Sequence, residues 1–230
     1  MATVAVKCRF CGLTDAVKKH GTDNGGYPRY RSQDCCRTFQ LDYTYKCQPC
    51  IKEQVVDLAM NNPGIRDTAR TLHISINAVV RTLKKLSLRQ VTPLPLDNLH
   101  IEFLCEVDEQ SSFVANKKQH RWLWYAWVPR LKRIIAHTFD RQNKETLRQL
   151  LTLLSRFNVA FWCTDKFCAY EILPKQKHVA NKFYTQRIER ENLNLINRLK
   201  RLNRKTLGYS KSSDMHDKII GTFIEREYYV

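Results

Sequence analysis

The sequence predicts a multi-domain α+β chain: a small β module first, then a three-helix module, then an α/β domain with a mixed sheet. Three observations carry this. Residues 1–50 hold six of the nine cysteines and four of the seven glycines among short β-like runs. Residues 51–88 change to helical spacing, and from about residue 99 strand-like apolar runs alternate with helix-like ones. At 230 residues, 43% of them hydrophobic, the chain has room for one medium domain with a packed core plus small modules. The expected divisions are 1–50, 51–89, a linker over 90–98, and 99–230. Pro93 and Pro95 mark the linker, because proline interrupts regular structure and restrains the residue before it.

Lys and Arg outnumber Asp and Glu by 39 to 22, a net charge of +17 at pH 7. Such a balance is silent on fold but favours a polyanion, since each neutralised phosphate releases counterions. The plainer alternative is a solvated basic face. Met1 to Lys7 lack the apolar run of a secretion signal, and no run of about 18 apolar residues offers a membrane span. No membrane partner is expected. Nine cysteines in such a chain point to free thiols or a metal rather than disulfides, and the bacterial cytoplasm is the expected location.

In the first module, Cys8-Arg9-Phe10-Cys11-Gly12 looks like a zinc knuckle: two thiolates two residues apart suit one tetrahedral zinc, and the glycine eases the turn. A second such pair would complete a zinc ribbon, but the position three before Cys35 is Ser32, and a hydroxyl is a poor substitute for a thiolate. The candidate ligands are therefore Cys8, Cys11 and Cys35, with Cys36 or the Cys47/Cys50 pair completing four. Otherwise some of these cysteines are small buried hydrophobes. A zinc ion here would be structural, stapling a segment with few core residues.

In the second module, Ile51, Val55, Val56, Leu58 and Ala59 make one helix face, ending near Pro63-Gly64. A short helix follows from Ile65 to Leu72. After a turn at His73-Ile74-Ser75, with Ser75 as N-cap, a third helix runs from Ile76 to Leu86. It turns Val79, Val80 and Leu83 inward and Asn77, Arg81, Lys84 and Lys85 outward. This is the helix-turn-helix pattern, whose last helix enters the DNA major groove; an ordinary three-helix bundle with a basic face is the competing reading.

In the third, a strand over residues 101–110 carries Asp108. Strands at Trp122 to Val128 and Ile134 to Phe139 follow, then an amphipathic helix from Lys144 to Phe157 and a strand from Val159 that ends at Asp165. A long basic helix is expected from about Thr185 to Leu202, with Glu189 in its first turn. This order resembles an RNase-H-like core, in which the first and fourth strands are neighbours. Aspartates on both would lie side by side, and a crossing helix would add a third carboxylate. Such a cluster suits two magnesium ions, which prefer oxygen ligands and serve phosphoryl transfer. Residues 175–205 hold ten Lys or Arg and two acidic residues; Glu191 is expected to pair with Arg187 or Arg190.

With these residues in view, the chain resembles transposases of the insertion-sequence-one family of bacteria over nearly its full length. The matching stretches are Cys8 to Cys11, Arg37 to Tyr45, Asp67 to Lys85, Val107-Asp108-Glu109-Gln110, Trp122 to Ala126, Cys163-Thr164-Asp165, Tyr184 to Arg190 and Ser210 to Tyr228. The resemblance implies a DNA transposase with Asp108, Asp165 and Glu189 holding Mg2+ or Mn2+, 24 positions separating the last two. It also implies a zinc-finger and helix-turn-helix region that binds the element's terminal inverted repeats. Double-stranded DNA is the expected partner, a homo-oligomer the expected assembly and the nucleoid the expected place. Arg187, Arg190, Arg198 and Lys200 are expected to grip phosphates. Four positions depart from the family: Ser32 replaces a ribbon cysteine, Ser111 a tryptophan, Ala115 a common glycine, and Ile196 a usual basic residue. A regulator that binds the same ends without chemistry, and a nuclease of the same fold, are the rival readings.

Overall fold

The computed structural model describes residues 5–23, 26–41, 50–61, 63–95, 102–203 and 210–229. It divides into two units, Met1–Gln48 and Pro49–Val230.

The first unit is a three-stranded antiparallel sheet of β1 (Val17–Thr22), β2 (Pro28–Ser32) and β3 (Thr38–Phe39). Its core is small: Cys8, Ser32 and Phe39 are buried, and Phe10 and Tyr30 lie against Phe39 with ring centroids 6.5 and 6.0 Å away. The knuckle closes where the Gly12 N–H donates to the Cys8 carbonyl at 2.9 Å. Gly12 has φ 77° there, a backbone region that side chains other than glycine disfavour.

The second unit opens with three helices, α1 (Ile51–Met60), α2 (Ile65–Thr71) and α3 (Ile76–Lys84). Ser75 caps α3, its Oγ accepting from the Ala78 N–H at 3.2 Å, and so satisfies one donor left without a partner at the helix start. The sheet that follows comprises β4 (Phe103–Val114), β5 (Asn116–Val128), β6 (Arg133–Asp140), β7 (Val159–Thr164) and β8 (His178–Ala180), in the order β6-β5-β4-β7-β8. The β4-β5-β6 meander is antiparallel; β7 runs parallel to β4, and β8 to β7. Helix α4 (Lys144–Leu154) makes the crossover between β6 and β7. This strand order is that of the RNase-H-like fold expected from the sequence. Helices α5 (Gln186–Arg198) and α6 (Ser213–Tyr228) complete the chain. None of the described helices is long and apolar enough to cross a membrane.

The sheet is covered on both sides, which explains why β5 reads as the near-continuous apolar run Trp122 to Val128. Trp124, Ala126 and Val107 pack with Leu147, Leu150 and Leu154 of α4 on one face. Leu123, Tyr125 and Trp127 pack with Ile188, Leu195, Ile220 and Phe223 of α5 and α6 on the other. The three-helix module joins this second layer: Ile219 of α6 lies in one cluster with Val55, Val56, Ala59, Val79 and Leu83. Polar contacts reinforce the seam. Arg201 donates through Nε and Nη2 to the Ala59 carbonyl at 3.2 and 3.1 Å, and Lys218 Nζ to the Lys84 carbonyl at 3.0 Å. The stretch expected as a linker is laid along β6: Thr92 N–H donates to the Ile135 carbonyl at 2.9 Å and His137 N–H to the Gln90 carbonyl at 2.8 Å. Residues 96–98 of that stretch lie outside the described residues.

Candidate active site

The register of the two parallel strands sets the geometry of the carboxylates. Glu106 of β4 pairs with Cys163 of β7; two residues further along each chain stand Asp108 and Asp165. Cross-strand pairing places Asp108 opposite Tyr125, so Asp108 emerges on the face covered by α5. Glu189 lies in the first turn of α5 and is exposed, as is Asp165 at the end of β7. The half-buried Asp108 feels both: burial raises its carboxyl to about 6, the Glu109 N–H and Asn192 amide counter this, and the charges of Asp165 and Glu189 raise it again.

A fourth carboxylate stands close by. Glu109 points to the opposite face, where Tyr170 donates its hydroxyl to Oε2 at 2.6 Å and Gln142 Nε2 donates to Oε1 at 2.8 Å. Burial raises this carboxyl to about 7 despite those bonds, and Asp108 and Asp165 add to the rise. The neighbouring carboxylates thus add mutual repulsion to the cost of burial. A divalent cation would relieve it, so the donor set fits hard, oxygen-seeking ions. The carboxylates are not knotted tightly together: among the described residues the group whose ligand atoms lie within 4.8 Å of one another is Cys8, Cys11 and Cys35.

Sequence reasoning missed the groups that hold the aspartate and the glutamate in place. Asn192 Nδ2 donates to Asp108 Oδ2 at 2.7 Å, Tyr125 donates its hydroxyl to Asn192 Oδ1 at 2.7 Å, and the buried Glu106 accepts the Ile188 N–H at 2.8 Å. The only signals were periodic: Glu106 and Asp108 share a strand face, and Ile188 and Asn192 share a helix face. Nothing in the spacing says that these faces meet. Glu191, expected at the basic surface, is instead buried and bonded to the Tyr228 hydroxyl and the Asn194 amide.

The expected basic residues lie on the surface. Asn77, Arg81, Lys84 and Lys85 are exposed along the outer side of α3 and its C-cap, and Arg187, Arg190 and Lys200 are exposed on and after α5. Arg198 is also exposed, but its guanidinium pairs with Glu227 at 2.7 Å and lies 4.7 Å from the Phe223 ring centroid. Ile196 packs at the edge of the α5 and α6 layer.

In the first unit, the Cys8 and Cys35 thiols are 3.7 Å apart and Cys11 Sγ lies 3.4 Å from Ser32 Oγ. Ser32 is fully buried, and its Oγ also accepts the Cys35 N–H at 3.5 Å. Burial pushes the Cys8 thiol up, but the N–H groups of Cys11 and Phe10 and the thiols of Cys11 and Cys35 outweigh it and bring Cys8 to about 7. Cys36 is outside the group: its backbone is left-handed, φ 54°, and its exposed thiol lies 3.5 Å from the Gln33 carbonyl. Cys50 is also exposed, and Cys47 lies outside the described residues.

Parts of the chain are similar to known proteins. Residues 102–230 match the family model described as IS1 transposase, and residues 43–87 the model described as InsA C-terminal domain. The chain is 46% identical over 127 residues to the insertion element iso-IS1n protein InsB of Shigella dysenteriae, covering 55% of this chain and 97% of that protein. It is 44% identical over 149 residues to the insertion element IS1 9 protein InsB of Escherichia coli strain K12, covering 64% and 89%. Among solved structures, a pre-cleavage Mos1 transpososome overlaps 82% of this chain and 78% of its own at 9% identity, with a TM-score of 0.35.

Proposed function

This chain belongs to the IS1 transposase family and is a DNA transposase, a polynucleotidyl transferase, and we propose that it cuts and joins strands at Asp108, Asp165 and Glu189. The family implies use of a divalent metal, and Mg2+ or Mn2+ is the ion proposed here. When bound, the ions activate the attacking hydroxyl and stabilise the leaving oxygen. The protein's own groups do the placing. In this reading Asp108 offers its oxygens from the middle of β4, Asp165 from just past the end of β7, and Glu189 from the first turn of α5. Arg187 and Arg190, exposed one residue either side of Ile188 and Glu189, offer donors to the flanking phosphates, where a guanidinium's paired N–H groups match the oxygens. Lys200 and Arg198 extend this basic face, Arg198 from its pair with Glu227. Water attacks first, leaving a 3′ hydroxyl on the element, which then attacks a target phosphodiester and expels its 3′ oxygen.

Helix α3 is the proposed reader of the terminal inverted repeats, through Asn77, Arg81, Lys84 and Lys85. Two or more subunits pair the two ends, in the bacterial cytoplasm at the nucleoid. In the first unit Cys8, Cys11 and Cys35 hold a structural zinc beside the Ser32 hydroxyl. The observation that supports the catalytic reading is the register of β4 and β7, in which Glu106 pairs with Cys163 two residues before each aspartate. The test is transposition of a marked mini-element by the wild type and by Asp108→Ala, Asp165→Ala and Glu189→Ala, with binding to the ends measured in parallel. Each substitution should reduce joining to background and leave end binding within about twofold, because the ends are read elsewhere. An Asp165→Ala protein that transposes normally would end the reading. A wild type that binds ends but never joins them would favour the regulator.

A further inference from the structure

Two points one helical turn apart tie α5 to β4, and Glu189 lies between them. Glu106 and Asp108 project from the same face of β4. Glu106, 2% exposed, accepts the Ile188 N–H at 2.8 Å. That N–H lies in the first turn of α5, where four backbone donors have no acceptor within a helix, and the Thr185 side chain makes no cap bond. A carboxylate from the strand thus caps the helix. One turn on, Asn192 reaches Asp108.

The Asn192 amide has one orientation that satisfies both neighbours. A carboxylate only accepts, so the amide nitrogen faces Asp108 Oδ2 at 2.7 Å. The amide oxygen accepts from Tyr125, whose fully buried ring sits across from Asp108 on β5. The other Asp108 oxygen accepts the Glu109 N–H at 2.8 Å. Each oxygen therefore has one fixed donor and keeps lone-pair capacity for a cation. The donor is neutral: a lysine or arginine here would cancel the charge that attracts the ion, and an aspartate would repel its neighbour.

We propose that Asn192, aimed by Tyr125, is a positioning residue for the Asp108 carboxylate: it fixes the carboxylate's rotation and ties it to the helix that carries Glu189. This rests on Asp108, Asp165 and Glu189 being the divalent-metal site. Asn192 touches neither substrate nor metal; it acts through Asp108, as hydrogen-bond partners behind a metal ligand do.

The test is Mn2+ titration of the full-length protein, followed by the paramagnetic resonance of free Mn2+, for the wild type, Asp108→Ala, Asn192→Leu and Tyr125→Phe. Thermal unfolding and end binding serve as controls. Asn192→Leu should raise the Mn2+ dissociation constant by about 10- to 100-fold with unfolding and end binding unchanged, and strand transfer should need correspondingly more Mn2+. Tyr125→Phe should shift it the same way by a smaller factor, since only the aim of the amide is lost. Wild-type affinity in a folded Asn192→Leu, beside lost binding in Asp108→Ala, overturns the inference and leaves the site intact. Undiminished binding in Asp108→Ala removes the site itself. If Asn192→Leu does not fold, Tyr125→Phe decides, and unchanged affinity there overturns the inference.

Discussion

Ala115 sits in the hairpin between β4 and β5 with φ 61°, a left-handed backbone that costs a residue with a Cβ about 1–2 kcal/mol. The position is held, not free to relax, because its N–H donates to the Ser210 carbonyl at 2.7 Å. Ala115→Gly should therefore stabilise the protein by about 0.5–1 kcal/mol, the relief of strain less the extra freedom glycine gives the unfolded chain. Urea unfolding would show a higher midpoint at unchanged slope; a lower midpoint would mean that the strain is not there. The family resemblance marks Ala115 as a departure from glycine, but the reason is a dihedral angle, which no spacing reveals. The sequence singles out Asp108, Asp165 and Glu189 because carboxylates within an apolar strand, just past a strand's end and in a basic helix stand out chemically. Asn192 and Tyr125 do not stand out, since an asparagine in a polar helix and a tyrosine in an apolar strand have ordinary reasons to be there. The placing of Glu191 was partly legible: Ile188, Glu191 and Leu195 share one helix face, and a face so lined turns inward.

Helices with a clear apolar face and a cap came through well from sequence. Helix α3 starts after Ser75, and α4 starts after Asn143, whose side chain accepts from the Thr146 N–H at 2.9 Å. Other elements were hidden for physical reasons. The three residues of β8 are too few to show alternation, and α6 is buried on several sides, so its apolar residues fall into no single stripe. Helix α5 stops at Arg198 rather than running to Leu202; a short 3-10 turn at Lys200–Leu202 tucks Leu199 and Leu202 into the core instead. The proposal for α3 belongs at this scale, because it concerns a face and not one atom. Arg81→Ala should lower the salt dependence of end binding by about one unit of slope, because one fewer phosphate is neutralised. Asn77→Ala should instead narrow the preference for the terminal repeat over scrambled DNA, by about 1–3 kcal/mol if it reads a base edge. Fluorescence-anisotropy titrations across a salt series measure both, and identical slopes for wild type and Arg81→Ala would remove α3 from the interface.

At the scale of the whole second unit, the three-helix module and the sheet share a seam through α6. Ile219 is 1% exposed between Val55, Val79 and Leu83, and Arg226 pairs with Asp57 across the same seam. Ile219→Ala should cost about 2–4 kcal/mol, the range for emptying a buried aliphatic site, and should loosen the module from the sheet. Limited proteolysis reads this directly: new cleavage between residues 86 and 102 is expected in the variant, and a wild-type pattern would show that the seam contributes little. The composition of the linker stretch could not announce this arrangement, because the residues that meet at the seam lie more than a hundred positions apart. The seam also bears on what this transposase can measure. The helix proposed to read DNA and the carboxylates proposed to cut it stand on two apolar clusters joined through α6, like the two jaws of a calliper. The gap between the sequence recognised and the bond broken is then set by side-chain packing, so an element's end is found by length as well as by letters.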